Sequence, residues 1–490
     1  MKFRQRRCAL LAVAAAGVVA LCACSLPQRV SPPALDGQAS LGDLQVATLG
    51  AWPQSAWWRA YRDPQLDQLI GLAMRTTPDL ALASARVQSA ESAMRAVAAQ
   101  AGLSVNGSAQ WSRRRMSDHG ILPTEFLGIS WYSQADIGLQ MNYELDWWGK
   151  KRAAVEAAIG EMRAAAAQAA AAALTIQYAV ADTYFAWQAD QARLGLAGDR
   201  LAAQKRLTGI ADLRVSHGVD LPDEAQVAHA QLAAAREQLT ALQGSARVRL
   251  AGLAALIGVP MDRLPPLAPR ALPEVAQGLP ADASLNLLAR RPDVTASRWQ
   301  VQAALRQTDV ARAQFLPDFS LGALVGLSSI DMDRLFDGGS RVFELTPALH
   351  LPVFNSGLLK ANYGARRAQL EAAIASYRST VLAAVREVAT QALTAQTLGE
   401  RRREQNEQLA AANMLYASAL SRGQQGVSDA RDALEAQSRL LTQRDSTLQV
   451  HALALAADLS LIKALGGGYR ADAGVPPRSP GATTSGVPSR

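Results

Sequence analysis

Two carboxylates, Asp432 and Glu435, are the residues whose type and spacing point most directly to chemistry. They follow Gly426-Val427, a break in a long helical pattern, and a spacing of three puts both on one helical face. Copies of such a pair from several chains around a constriction would form a ring of carboxylates. The ring favours cations and resists close approach of the helices unless counter-charges bridge them. The competing reading is a solvated face on which Glu435 pairs with Arg439 at i,i+4. Catalytic patterns are missing from the sequence. His119, His217, His229, His350 and His451 have no partners at metal-ligand spacing, and His229 and His451 read as helix-surface residues. No nucleophile elbow, phosphate loop or dinucleotide fingerprint occurs, so neither an enzyme nor a metal site is expected.

Cysteine chemistry is confined to the start of the chain. Cys8 and Cys22 fall in residues 1–23, which have the build of a signal peptide: Lys2, Arg4, Arg6 and Arg7, then an apolar stretch from Ala9 to Leu21. That stretch is shorter than the ~20 residues a spanning helix needs. The run Leu21-Cys22-Ala23-Cys24 resembles a bacterial lipobox, with Cys24 as the acylated first residue of the mature chain. The expected modification is a diacylglyceryl group and an N-acyl chain on Cys24, with no other cofactor. An ordinary signal peptide with an incidental cysteine is the alternative. If the lipobox is used, the mature chain has no further cysteine, which removes disulfides and thiolate metal sites. Ser25 in place of Asp favours the outer membrane, by resemblance to lipoprotein sorting.

The elements that must position the carboxylates come in two copies. Gly149 and Gly357, where a strand pattern gives way to a long Ala-rich helix, are 208 residues apart, as are Gly218 and Gly426, where that helix ends. A duplication of this size predicts two similar halves. Repeat 1 covers 65–258 and repeat 2 covers 283–465, each with a helix, two strands, a long helix and a further helix. The first helix is expected from about Gln65 to Gln100, bent or divided at Pro78. The remaining segments are a tether over 24–64, a connector over 259–282 rich in proline, and a disordered tail over 466–490.

Strands are read from period-2 alternation. Apolar Val105, Ala109 and Trp111 alternate with polar residues between Ser104 and Ser112; Trp131, Ala135, Ile137, Leu139, Met141, Tyr143 and Leu145 do so between Ser130 and Asp146. Phe319 to Leu327 and Phe343 to Val353 supply two more stretches, and the intervening segments, about 113–129 and 329–341, are polar and charged. These runs have the length of tilted transmembrane β-strands, with a half-buried soluble sheet as the alternative. Four strands cannot close a barrel, and open edges are not tolerated in lipid, so membrane strands would require several chains per barrel. Trp131-Tyr132 and Trp147-Trp148 bracket the second strand as interfacial girdles do, or are core residues at a strand–helix junction. The chain is 49% apolar but only 5% aromatic, much of the apolar share being Ala. That composition suits a thin helical wall better than a thick globular core. The formal charge of +8 is dispersed along helices, and no basic run interleaves with aromatics as on a nucleic-acid surface.

In this order and spacing the residues resemble the outer-membrane efflux family, the trimeric channel-tunnels of bacterial export systems, in its lipoprotein branch. The resemblance rests on Trp57-Trp58 with Asp63-Pro64 and Leu66, on Tyr143-Glu144-Leu145-Asp146 before Trp148-Gly149, and on Leu288-Ala289-Arg290-Arg291-Pro292-Asp293-Val294. Ala313-Gln314-Phe315-Leu316-Pro317, Leu351-Pro352-Val353-Phe354 and Val385-Arg386-Glu387-Val388 extend it over nearly the whole mature chain. Trp52-Pro53 and Leu465-Gly466-Gly467-Gly468-Tyr469 look closest to fusaric-acid and aromatic-compound efflux lipoproteins.

The resemblance implies an α+β membrane protein: a homotrimer with a 12-stranded β-barrel, four strands per chain, continued by a long periplasmic α-helical barrel. It implies a passive duct of a tripartite efflux system, exporting small toxic compounds or drugs in company with a periplasmic adaptor and an inner-membrane transporter. The chain would sit in the outer membrane, lipid-anchored and extending into the periplasm. It also implies that Asp432 and Glu435 occupy the periplasmic gate, with Glu224 after Gly218 as the counterpart in repeat 1. Gly423 and Ser428 stand where some members carry the Tyr and Arg that latch it. A periplasmic coiled-coil adaptor or scaffold lipoprotein is the rival reading, disfavoured by the four alternating stretches.

Overall fold

The computed structural model describes residues 26–35, 51–117, 128, 130–275, 280, 289–352 and 356–471. The expected signal peptide, Cys24, His119, Val353 and the chain beyond 471 lie outside the described residues. The elements are α1 (Pro64–Thr76), α2 (Pro78–Gln100), β1 (Ser104–Arg115), β2 (Trp131–Leu145), α3 (Lys150–Ser216), α4 (Pro222–Ile257), α5 (Pro292–Ala313), β3 (Asp318–Ser329), β4 (Arg341–His350), α6 (Ser356–Gln424) and α7 (Ala430–Ala464).

Local rules explain the breaks. The Asp63 carboxylate accepts the backbone N–H groups of Gln65 (2.9 Å) and Leu66 (3.4 Å), and Pro64 fills the first helical position, so α1 starts there. The expected helix from Gln65 to Gln100 is two helices. Pro78 forces Thr77 into extended geometry (φ −66°, ψ 124°), and the Thr77 hydroxyl donates to the Leu256 carbonyl at 3.0 Å. Helices α3 and α6 run for 67 and 69 residues without an interior proline. Gly149 precedes α3 in the left-handed region (φ 76°), whereas Gly357 lies inside α6, so these two landmarks play different local roles.

The chain divides into two compact units, each drawing on both repeats. The first comprises Met1–Ala34, Val87–Ala165 and Ser297–Tyr377 and carries one antiparallel sheet in the order β1-β2-β3-β4. Register confirms the alternation residue by residue. Gly107, Leu139, Val325 and Phe343 form one row across the four strands, and Val105, Met141, Ala323 and Leu345 another. The opposite face carries Gln110, Asp136 and Ser328 in one row, where the Ser328 hydroxyl donates to Asp136 at 2.6 Å. A Cβ at Gly326 would collide with the Ile137 carbonyl, so only glycine permits that strand approach. The apolar face is uncovered: Trp111 is 60% and Phe343 72% exposed. The bracketing tryptophans are exposed too, not core; Trp147 leans on Phe319 and Trp148 donates to the Pro317 carbonyl. β1 continues to Arg115, beyond the expected end at Ser112, because Arg113, Arg114 and Arg115 still pair with Ser133, Tyr132 and Trp131. β4 begins at Arg341 and ends at His350, short of Val353.

In the same unit α3 and α5 pack closely, as Ala-rich helices allow: a Cβ at Gly160 would come 3.0 Å from that of Ala303. The described piece of the tether lies on this unit. Arg312 donates to the Pro27 carbonyl (2.9 Å), Tyr363 to the Gln28 carbonyl (2.8 Å), and Arg29 lies 3.5 Å from Asp309.

The second unit comprises Leu35–Arg86, Ala166–Ala296 and Arg378–Arg490. Its core gathers Trp57, Leu66, Leu69, Ile70, Val180, Tyr184, Leu253, Ile257, Leu455 and Leu459, each large aliphatic side chain contributing about 1.5–3 kcal/mol on burial. Several buried polar groups are paired, whereas the indole N–H groups of Trp57 and Trp187 have no partner among the described residues. Tyr61 donates to Asp458 at 2.6 Å, and burial pushes that carboxyl up to about 6 against the opposing effect of the hydrogen bond. Arg291 donates to Asp293, Glu387 and the Ala464 carbonyl, which ties the start of α5 to α6 and α7.

Candidate functional site at the paired helix turns

The second unit also contains both turns that end the long helices. In each, a glycine adopts the left-handed conformation, φ 69° at Gly218 and 73° at Gly426. The next residue then donates back to the helix: Val219 N–H to the Arg214 carbonyl (2.8 Å), Val427 N–H to the Arg422 carbonyl (2.9 Å). These bonds satisfy carbonyls the helix leaves unpaired, and glycine removes the strain an L side chain would carry there. The following helices start alike, with Glu224 N–H donating to the Leu221 carbonyl and Asp432 N–H to the Asp429 carbonyl, both at 3.1 Å. Glu224 and Asp432 are therefore equivalent positions, 208 residues apart.

Side chains at the two turns differ. The second turn caps α7 with Asp429, whose carboxylate accepts the Arg431 N–H at 3.0 Å; Leu221, in the same place before α4, offers no side-chain cap. Arg214 at the first turn donates twice to Asp220, at 2.8 and 2.9 Å, and lies 3.5 Å from Asp429 of the second. Arg431 at the second turn donates to Glu435 at 2.9 Å and reaches back to Glu224 at 3.7 Å and Asp220 at 3.9 Å. Two guanidiniums thus cross between the turns in opposite directions. The Arg214 hydrogen bonds hold the Asp220 carboxyl below the usual carboxylate range, and the Glu435 hydrogen bond makes the Arg431 guanidinium harder still to deprotonate. A lone exposed ion pair contributes little; a set sharing two arginines fixes geometry better than separate pairs can.

The structure brings Glu435 and Glu224 together around Arg431 and leaves Asp432 out. Asp432 is exposed and makes no ion pair among the described residues, so spacing on one helical face did not give it and Glu435 a common environment. The pairing of Glu435 with Arg439 is also present, at 3.7 Å, but Arg439 is 80% exposed and Arg431 is nearer. Sequence reading missed Arg431, although its place four residues before Glu435 was a usable signal. Arg214 and Asp220 meet across a turn, where no helical period applies. A polar cleft follows between the helices, bounded by Gln204, Gln231, Arg200 and Glu224, with Gln204 donating to Gln231 at 3.1 Å. The histidines serve locally: His229 contacts Asp212, His217 the Leu213 carbonyl and His451 the Pro273 carbonyl.

A family model described as outer membrane efflux protein matches residues 69–259 and 284–467. A multidrug resistance outer membrane protein, MdtP of Escherichia coli O6:H1, is 37% identical over 436 residues, covering 88% of this chain and 89% of the relative. MdtQ of Escherichia coli O157:H7, also a multidrug resistance outer membrane protein, is 33% identical over 435 residues, covering 87% and 91%. Among solved structures, the outer membrane protein VceC of Vibrio cholerae superimposes with a TM-score of 0.77 at 29% identity, covering 86% of this chain and all of that one. The four-stranded sheet and long helices are the fold of these channels. The chain belongs to the outer membrane efflux protein family and is an outer-membrane channel of a tripartite efflux system.

Proposed function

We propose that three copies of this chain form the duct and that its periplasmic gate is clamped within each chain and open to separation between chains. Trimer formation is supported by the sheet: β1 and β4 are its two edges, four strands cannot close, and three such sheets make the twelve strands of a barrel with no edge left in lipid. Asp432, Glu435 and Glu224 are the gate carboxylates in this reading.

The observation that carries it is Arg431 set between Glu224 and Glu435. In a ring where repeats 1 and 2 alternate, each in-chain contact has an equivalent at the seam between chains, found by moving both residues 208 positions. Glu224 with Arg431 becomes Asp432 with Asp223 of the next chain. Arg214 with Asp429 becomes Arg422 with Leu221. The in-chain side is bridged by guanidiniums; the seam faces carboxylate with carboxylate, which repel at close range. Opening therefore proceeds by parting the seams, and docking of a periplasmic adaptor is what shifts that balance. The inner-membrane transporter supplies the driving force and selects the cargo, small toxic compounds or drugs, as the names of the relatives suggest for them.

Cys24 carries the lipid in this reading. It is supported by the contacts of Pro27 and Gln28, three and four residues downstream, with Arg312 and Tyr363 near the helix-connected ends of the strands. A lipid chain at Cys24 would then enter the leaflet beside the barrel. The test has two arms. Purified protein reconstituted in planar bilayers should give trimer-sized particles by native mass spectrometry and a small closed-state conductance that grows on Arg431→Ala; a monomer, or an unchanged conductance, counts against the gate. Metabolic labelling with an alkyne fatty acid should be lost in Cys24→Ala, and undiminished labelling would remove the anchor.

A further inference from the structure

The uncovered face of the sheet is apolar along its length and basic at one end only. Odd-numbered residues of β1 and β2 point to that face, and at the end away from the helices β1 finishes with Trp111, Arg113 and Arg115 on it. Arg341 opens β4 at the same end of the sheet, level with Leu327 of β3 and, through Ile137, with Ala109 of β1. All three arginines are exposed, and the Arg113 guanidinium lies 5.7 Å over the ring of Trp131, itself 54% exposed. Among the described residues neither Arg113 nor Arg341 pairs with a carboxylate. The nearby acids are Asp331, Asp333 and Asp337 of the β3–β4 connection; Arg334 lies 3.6 Å from Asp331. The helix-connected end of the same face is different. It carries Tyr143, Leu145, Phe319 and Leu349 without an arginine, and the lysines there, Lys150 and Lys151, are taken up by Glu144 and Asp318.

We infer that this arginine rim binds the phosphate groups of phosphorylated lipids in the external leaflet. An arginine on the lipid face costs about 2–4 kcal/mol at the bilayer midplane and about 0–1 near the interface, so Arg113, Arg115 and Arg341 mark the headgroup level. Their strand ends face outward, because every opposite end joins a helix of the periplasmic part. A guanidinium fork matches two phosphate oxygens, and the exposed tryptophans beside it lie at the depth where acyl chains meet headgroups. The inference rests on the trimer reading in one respect. Within a chain Arg341 and Arg113 are at opposite sheet edges, about 14 Å apart across the strands and about 14 Å along them, or about 20 Å in all at the usual spacings. Barrel closure brings the β4 edge of one chain to the β1 edge of the next, which removes the separation across the strands and sets the three arginines along one rim at each seam.

The experiment titrates the detergent-solubilised full-length protein with diphosphoryl lipid A, with the same lipid after enzymatic dephosphorylation, and with inorganic phosphate, reading bound mass by native mass spectrometry. Wild-type trimer should hold the diphosphoryl form at least tenfold more tightly than the dephosphorylated form. Inorganic phosphate at millimolar levels should bind without displacing it. The double variant Arg113→Gln with Arg341→Gln should fall to the dephosphorylated level while remaining trimeric with wild-type conductance. Arg113→Lys with Arg341→Lys should keep part of the preference. Equal binding of the two lipid forms, displacement by free phosphate, or full affinity in the Gln variant would each overturn the inference. The wild-type comparison stands even if a variant fails to fold, and the same spectra show separately whether the protein is a trimer.

Discussion

At Gly218 and at Gly426 the chain reverses through the same left-handed residue and the same helix-capping hydrogen bonds, yet the side chains mounted on the two turns are not interchangeable. The first turn offers Asp220 and Glu224 as acceptors and a single donor, Arg214; the second offers Asp429 and Glu435 and the donor Arg431. The duplication preserved what the backbone needs and let the surface diverge. Because each arginine reaches the other repeat, divergence has made the in-chain contact attractive. Its equivalent between chains, Asp432 against Asp223, is repulsive in the reading proposed above. A symmetric pair of turns could only close or open all contacts together; an asymmetric pair can hold one set and release the other.

Perturbing the two turns separately should break or sharpen that contrast. The largest effect is expected from Arg431→Ala, which leaves Glu435, Glu224 and Asp220 without a shared partner; single-channel conductance in bilayers should rise several-fold. Arg214→Ala should raise it less, since Arg431 still links the turns. Asp432→Asn should act in the opposite direction, lowering residual conductance and cation preference, because it removes repulsion at the seam; a rise would mean Asp432 belongs to the clamp. Acidification gives a graded version. Asp220 has a depressed carboxyl, so its contribution is fully present above the ordinary value near ~4 and is lost only as pH falls through the lower folded-state value. In the Asp432→Asn background, where the seam repulsion is already gone, conductance should therefore stay level from pH 8 to pH 5 and rise only below about pH 4. The smallest difference is predicted for Gly218→Ala against Gly426→Ala. Each forces an L residue into left-handed geometry at a cost of about 1–2 kcal/mol, so local hydrogen exchange should speed up equally at both turns.

Much of this was legible in the sequence for a physical reason. Strands with one apolar and one wet face announce themselves by period, and the rows through Leu139 and Val325 appear where the alternation puts them. The end of β1 was missed because Arg113, Arg114 and Arg115 look like a loop; pairing with β2, not propensity, keeps them extended. Glu224, Asp432 and Glu435 could be singled out by type and spacing, but their partners could not. Arg431 contacts residues more than two hundred positions away, and Arg214 meets Asp429 from the other repeat. Such contacts are set by how helices pack side by side, which no local period encodes. The buried pair of Tyr61 and Asp458 was invisible for the same reason.

In the proposed gate the two turns of one chain move as a unit while turns of neighbouring chains do not. All three cysteines fall at or before residue 24, so spin labels can be attached at Val219→Cys and Val427→Cys, both exposed and 208 residues apart. Trimers diluted to one doubly labelled chain report the in-chain distance by pulsed electron resonance; trimers labelled at 427 alone report the distance between chains. A single narrow in-chain distribution that broadens in Arg431→Ala is expected, beside a broad between-chain distribution that narrows in Asp432→Asn. An in-chain distribution as broad as the one between chains, and indifferent to Arg431→Ala, would contradict it.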